Sequence, residues 1–457
     1  MPAIQPTAEK IPARKGGLLD KLGLHRPELR AWAMYDWANS AFVLVVITAV
    51  FPIYFSNMAQ ASGQTADQAT ANLSWATTIA LVLTALMSPT LGALSDFLAT
   101  RKRFLAIAVA IGSIATVGLG LLGASASWQM LLLLFAIGNL GLSLSFVFYD
   151  AFLPYIASED ELDRVSSGGY ALGYLGSSLL LVIALAAIKF PASFGLADAG
   201  MATRASFVAV GLWWILFSIP LFRRVAEPPR QIEGDETNAK SALAVTFRRL
   251  FETFRSLRSS YKPTFTMLIA FMIYNDGIGT IIRMAGIYAA SRGLPEQAVI
   301  FAILLVQVVG IPFAFLFANL SGRIGTKNAI LIGVAAYGVI SIVAWRMDDI
   351  NDFYLLAFLV AMVQGGTQAL SRSLFASMVP KHKSSEFFGF FSVFEKVAGI
   401  LGPLLFGLMI TWTGSAQTAI LSIVVFFIVG GLLLWRVDVE AGQRQAREED
   451  AHLAAAG

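Results

Sequence analysis

The chain has 457 residues, of which 57% are hydrophobic and 14% charged; ordinary soluble domains run at roughly 45–50% and about 25%, so most of this chain belongs in lipid. It lacks cysteine, and its three histidines, His25, His382 and His452, fall in polar stretches, which excludes disulfides, thiolate chemistry, cysteine metal sites and a buried histidine base. The net charge of +4 gives no reason to expect nucleic-acid binding, and since no lysine follows a glycine there is no phosphate-cradling loop for ATP.

Residues 1–30 read as a polar tail. Crossing about 30 Å of hydrocarbon takes about 20 mainly apolar residues in a helix, whose internal hydrogen bonds satisfy the backbone. Twelve segments pass that test: 31–56, 72–95, 104–123, 129–150, 167–189, 204–222, 264–290, 298–319, 327–346, 353–376, 386–411 and 417–436. The first is long enough to span and has no small-residue cleavage site behind it, so it reads as a retained helix. The prediction is an all-α membrane protein with a six-helix bundle over 31–222, a linker over 223–262, a second six-helix bundle over 263–436 and a tail over 437–457. Most of the 33 Lys and Arg collect in the tails and even-numbered loops. That bias predicts both termini in the cytoplasm and a multi-pass protein of the cell's inner (plasma) membrane.

Glu227-Pro228-Pro229 stops the sixth helix. Within the linker, Leu243, Phe247, Leu250, Phe254 and Leu257 recur every three or four residues, with Arg248, Arg249, Arg255 and Arg258 on other faces. The pattern predicts an amphipathic helix, either on the anionic leaflet or packed against the bundle ends.

The halves echo one another: Tyr35-Asp36-Trp37 in the first helix against Tyr274-Asn275-Asp276 in the seventh, and Ser166-Ser167-Gly168-Gly169 in the fifth against Ser384-Ser385 in the eleventh. Parallel repeats of this kind suit a transporter whose site lies between its halves. Gly92 and Asp96, followed by Arg101, Lys102 and Arg103, resemble the signature loop of the major facilitator superfamily. Its carboxylate is placed to accept from an arginine or a neighbouring helix N-terminus. The second-half counterpart carries Gly322 where the aspartate is expected, then Arg323, which predicts an asymmetric gate latch.

Tyr35-Asp36-Trp37-Ala38-Asn39-Ser40-Ala41-Phe42, Phe148-Tyr149-Asp150-Ala151-Phe152-Leu153-Pro154, Asn275-Asp276-Gly277-Ile278-Gly279-Thr280, Gln364-Gly365-Gly366-Thr367-Gln368 through Arg372, and Phe394-Glu395-Lys396 narrow the resemblance. Together they are similar to the autophagy-linked vacuolar amino-acid effluxers of fungi and their prokaryotic counterparts, from about residue 30 to 436. The resemblance implies a twelve-helix permease exporting amino acids or similar metabolites, with helices one, four, seven and ten lining the central cavity.

A charged side chain at a helix centre costs on the order of 2.5–3.5 kcal/mol to insert, so each needs a partner, a cavity or a function. Asp276, near mid-bilayer, is the leading substrate or coupling candidate. Arg283 lies two turns on, close to the same face but roughly 10 Å along the axis, too far for direct pairing unless the helix breaks at Gly277 or Gly279. A zwitterion is expected to set its carboxylate on Arg283 and its ammonium on Asp276. Gln364, Gln368 and Arg372 form one face of the tenth helix, and Asn139, Ser143 and Asp150 one face of the fourth. Asp150 and Arg372 sit near the cytoplasmic helix ends, where snorkelling or gate pairing is expected ahead of substrate contact. Asp36, with Asn39 and Ser40 on its face, either binds substrate or pairs with an arginine. Glu395 and Lys396 are adjacent, point about 100° apart and are each expected to find a partner on another helix. Asn275 completes the set.

These residues predict a secondary transporter, not an enzyme. It moves a small polar metabolite, an amino acid or related zwitterion, by alternating access coupled to protons, as a monomer in the lipid bilayer without cofactor or metal. A carrier of lipids or other amphiphiles and a non-transporting sensor remain open readings.

Overall fold

The computed structural model describes residues 17–122, 126–229 and 252–456. Among them are twelve helices long and apolar enough to cross a membrane: α1 Pro27–Ala61, α2 Ala66–Leu98, α3 Arg101–Leu122, α4 Trp128–Ile156, α5 Leu162–Lys189, α6 Ala199–Arg224, α7 Lys262–Gly286, α8 Gln297–Ile324, α9 Thr326–Trp345, α10 Ile350–Ser377, α11 Lys381–Thr413 and α12 Ala416–Trp435. A polar helix, α13, follows over Val439–Ala456. The described residues contain no strand. Six spans fall on each side of the linker, as the sequence predicts, and most run past the expected ends. Hydropathy marks only the stretch that needs lipid, whereas a helix continues until a cap stops it. At α2 the cap is Thr65, which accepts from the backbone nitrogen of Gln68 while that residue's side chain accepts from the Thr65 nitrogen.

Four spans are interrupted. α1 widens into a π-helical turn over Phe42–Val50, α4 turns at Ala151–Phe152, α11 breaks between Val397 and Leu401 and α12 breaks at Ile423. The first three fall near the site, as such breaks often do.

With an even number of spans, both tails emerge at one end of the bundle, here called the tail side. The hydrogen bonds that join the halves run from this end to about mid-helix. Ser384 Oγ donates to the Ala151 carbonyl at 3.0 Å and Ser166 Oγ to that of Ala369 at 2.7 Å. Deeper in, the hydroxyls of Ser88 and Ser392 meet at 3.3 Å. The structure therefore holds the tail side shut.

The predicted linker positions Leu243, Phe247 and Leu250 lie outside the described residues. Leu257 is buried and Phe254 packs on Phe390 with ring centroids 6.0 Å apart, so this end of the linker rests on the second bundle. Beyond α6, Glu227 accepts from the backbone nitrogen of Lys102 at 2.9 Å. Its partial burial raises the carboxyl above the usual range, against the lowering effect of the backbone donors of Lys102 and Arg101.

Candidate transport site and gate

Arg372 of α10 crosses from the second half into the first. Its guanidinium donates to Asp150 Oδ1 on α4 and to Asp36 Oδ2 on α1, both at 3.1 Å, while Nε donates to Ser166 Oγ at 2.9 Å and Nη2 to the Ser166 carbonyl at 3.0 Å. The cation also lies over the rings of Tyr170 at 4.7 Å and Trp32 at 4.8 Å. Arg372, Asp36 and Asp150 are all buried. The planar five-donor fork is what allows one side chain to bridge two helices and a third backbone. Gly169 makes room: a β-carbon there would collide with Asp36 Oδ2. The gate pairing expected of Arg372 and Asp150 is present, and Asp36 takes the arginine.

A second latch forms around the loop after α2. Asp96 Oδ1 accepts from Arg101 Nε at 2.6 Å and its Oδ2 from the backbone nitrogen of Glu386, in the first turn of α11, at 2.9 Å. Arg101 also donates to the Lys381 carbonyl at 3.3 Å and covers the Tyr155 ring at 4.6 Å. Gly92 abuts the Ser385 backbone so closely that a β-carbon would strike its carbonyl. Arg103 and Arg323 are exposed at the tail side, and Lys102 is half-buried. The second-half loop has no acid at Gly322. The acid sits instead on the facing helix, where Asp163 of α5 accepts from Thr326 Oγ1 at 2.7 Å and Ser373 Oγ at 2.5 Å. The two latches are not copies of each other: the acid lies in the loop after α2 in one and on the facing helix α5 in the other, and in both the first half supplies the carboxylate and the second half a donor across the gap.

Above the gate, Gln368 Nε2 donates to Asn275 Oδ1 at 2.7 Å, and Gln364 lies beside Tyr174. In the first half, Ser143 Oγ lies 3.5 Å from Asn139 Oδ1, and fully buried Asn39 accepts from Ser40 Oγ at 3.4 Å.

Three expectations are corrected here. Asp276 does not face open space: it is 1% exposed, and its Oδ2 accepts from the backbone nitrogen of Gly402 at 2.9 Å. It caps the second piece of α11, whose first-turn nitrogens the break leaves without intrahelical partners. Arg283 reaches Asp276 Oδ1 at 4.0 Å although α7 is unbroken. Its long side chain folds back over bare Gly279, where a β-carbon would come within 2.8 Å of the guanidinium. Glu395 and Lys396 find each other, Nζ to Oε2 at 2.9 Å, because two long side chains can swing back together across the angle between their Cβ bonds.

The four charges differ in access. The side chains of Arg283 and Glu395 are 45% and 38% exposed, against 1% for Asp276 and 15% for Lys396. Glu395 lies close enough to Asp150 and Tyr170 to act on both electrostatically, which turns it toward the space between the halves. The sequence reading missed Trp32, Tyr170 and Asp163 as gate members. It also read 437–457 as a plain tail, whereas α13 spans both halves: Arg447 pairs with Glu159 at 2.8 Å, and Lys383 with Glu449 at 3.3 Å.

The family described as "Vacuole effluxer Atg22 like" matches residues 25–447. The uncharacterized MFS-type transporter YxiO of Bacillus subtilis is 35% identical over 421 residues, covering 92% of this chain and 97% of that protein. Autophagy-related protein 22 of Kluyveromyces lactis is 26% identical over 380 residues, covering 77% and 75%. Among solved structures, the human organic anion transporter MFSD10 superposes with a TM-score of 0.66 at 12% identity, covering 90% of this chain and 99% of that one. The proton:xylose symporter XylE gives 0.64 at 14% identity, covering 92% and 95%. These likenesses show the major facilitator fold. The chain belongs to the Atg22-like vacuole effluxer family and is a multi-pass transporter of the major facilitator type.

Proposed function

We propose that the protein carries an α-amino acid or a closely related zwitterion across the cell's inner membrane by alternating access, with protons as the coupling ion and both tails in the cytoplasm. One observation carries this reading. Of the four charges gathered at the α11 break, the two that reach open space are one base and one acid, Arg283 and Glu395. Gly399, one turn beyond Glu395, lies against Arg283, which sets the base of α7 and the acid of α11 about one helical turn apart along α11. The substrate carboxylate then meets Arg283 and the ammonium Glu395, with Asp276 left to its cap. Asn275, Gln364 and Gln368 supply neutral hydrogen bonds to the side chain, and Asn139 lines the opposite wall.

With the tails inside, the closed tail side makes this an outward-facing arrangement. Rocking the bundles breaks the Arg372 bridge and opens the site to the cytoplasm, and acids between the halves carry the coupling proton. Purified protein in liposomes tests the reading: uptake of a labelled amino-acid mixture driven by a proton gradient is expected, and Glu395→Gln and Arg283→Gln each abolish it. Uptake of sugars or lysolipids instead, or of amino acids undiminished in both variants, would overturn it.

A further inference from the structure

The gate brings two carboxylates to one guanidinium. Arg372 gives each of Asp36 and Asp150 a single hydrogen bond and its other two hydrogen bonds to neutral Ser166. With both acids ionised the cluster holds one uncompensated negative charge, walled by Trp32, Tyr149 and Tyr170 and almost free of water. Among the described residues packed around the cluster no second cation is paired into it: Tyr35 on α1, Tyr149 on α4 and Tyr170 on α5 present phenols, and the acid Glu395 on α11 is paired with Lys396. Two carboxylates crowded into one dry site cannot both stay ionised, and sharing a proton removes the conflict.

We infer that the closed gate binds one proton, shared by Asp36 and Asp150. When α10 withdraws Arg372, both acids meet tail-side water, each can ionise there, and the proton leaves to that side. Closing reverses the balance: a proton enters as the two acids gather around one arginine. Glu395 is placed to deliver it, its side chain being partly exposed and about 16 Å along α11 from Ser384 at the tail-side end. The site rests on the coupled-carrier reading only for its use in transport. As a property of the closed gate it stands or falls without any substrate.

The chain has no cysteine, so a labelled pair at Asp160→Cys and Arg436→Cys, exposed on opposite halves at the tail side, reports opening without background. In lipid nanodiscs with no solute, spin-label distances taken across pH are expected to shift the open-to-closed ratio toward closed as pH falls, by up to tenfold per pH unit for one proton. Asp150→Asn and Asp36→Asn should each hold the gate closed and flatten that dependence. As a check that needs no variant, difference infrared spectra of the labelled wild-type frame should show a protonated-carboxyl band that disappears as the gate opens. An equilibrium that ignores pH, an unchanged pH response in both Asn variants, or the absence of that band overturns the inference. Loss of amino-acid flux with the pH response intact would count against the proposed substrate and leave the proton site standing.

Discussion

Asp276 of α7 accepts a hydrogen bond at 2.9 Å from the backbone nitrogen of Gly402 on α11, so one helix supplies the cap that another needs in order to be broken. A carboxylate beside the positive end of a helix gains from the dipole as well as from the hydrogen bond. In the membrane no water stands ready to replace it.

Asp276→Ala is therefore expected to destabilise the second bundle by about 1–2 kcal/mol through the lost cap, with a further cost from leaving Arg283 without its partner. Asp276→Asn keeps an accepting oxygen and should unfold close to wild type. Thermal unfolding of the two variants in detergent separates these outcomes. Equal destabilisation by Asn and Ala would mean that charge, and not capping, holds the break.

Arg372→Ala removes the cation that ties Asp36 and Asp150 across the halves. Stripping one partner from a buried ionic cluster costs about 3–5 kcal/mol. Opening the tail side wets the two stranded acids, so much of that cost should appear as a shift toward the open gate. Arg372→Lys should not restore closure, because a single ammonium cannot reproduce the fork that reaches α1, α4 and the Ser166 carbonyl together. Thiol labelling of a cysteine placed just above the gate, faster in both variants than in wild type, is the expected result.

Gly169→Ala places a methyl group against Asp36 Oδ2 and within 3.1 Å of Arg372 Nη2. The backbone there is helical, and alanine favours helix more than glycine does, so any loss comes from the collision. Overpacking of this kind typically costs about 1–3 kcal/mol. The variant should fold, with the gate loosened in the manner of Arg372→Ala; a gate as tight as wild type would show that Asp36 has room to move.

Legibility in the sequence followed the kind of partner each residue takes. Asp276, Arg372 and Asp36 stood out because a charge in an apolar run is expensive wherever it goes, and the polar face of α10 pointed to pairing near its end. Their partners were harder to read. The nitrogen that Asp276 caps becomes free because α11 breaks over Ala398–Ile400, a break that Pro403 favours by lacking a donor for, and clashing with, the Gly399 carbonyl four residues back. A proline in an apolar run marks where a helix can break, but not which carboxylate caps the nitrogens it frees. Arg283 was misjudged because the distance between Cα positions ignores how far a long side chain can lie back along its own helix. The donors to Asp163 are hydroxyls from helices remote in sequence, and a hydroxyl leaves little trace in any pattern.

The helix α13 left the weakest signal, since its apolar contacts come from small residues, Val439, Gly442 and Ala446, and the rest are charged and polar. Yet it ties the gate from outside: Arg447 pairs with Glu159 of the first half, while Lys383 meets Glu449 and the Lys381 backbone donates to Asp450 at 3.0 Å. Arg101 holds the Lys381 carbonyl from the other side, so tail and loop grip the same turn at the start of α11. Ending the chain after Asp438 removes this strap and leaves all twelve spans in place. Partly exposed ion pairs contribute about 0.2–1 kcal/mol each, so losing these contacts should raise the open fraction of the tail side by several-fold without lowering protein yield. Raised ionic strength should mimic the truncation in the full chain, because salt screens such pairs far more than it screens the buried Arg372 cluster, and it should add little in the shortened one. Distance distributions from the same labelled pair, taken at low and high salt for both chains, check the point; a gate indifferent to both changes would reduce α13 to a passive tail.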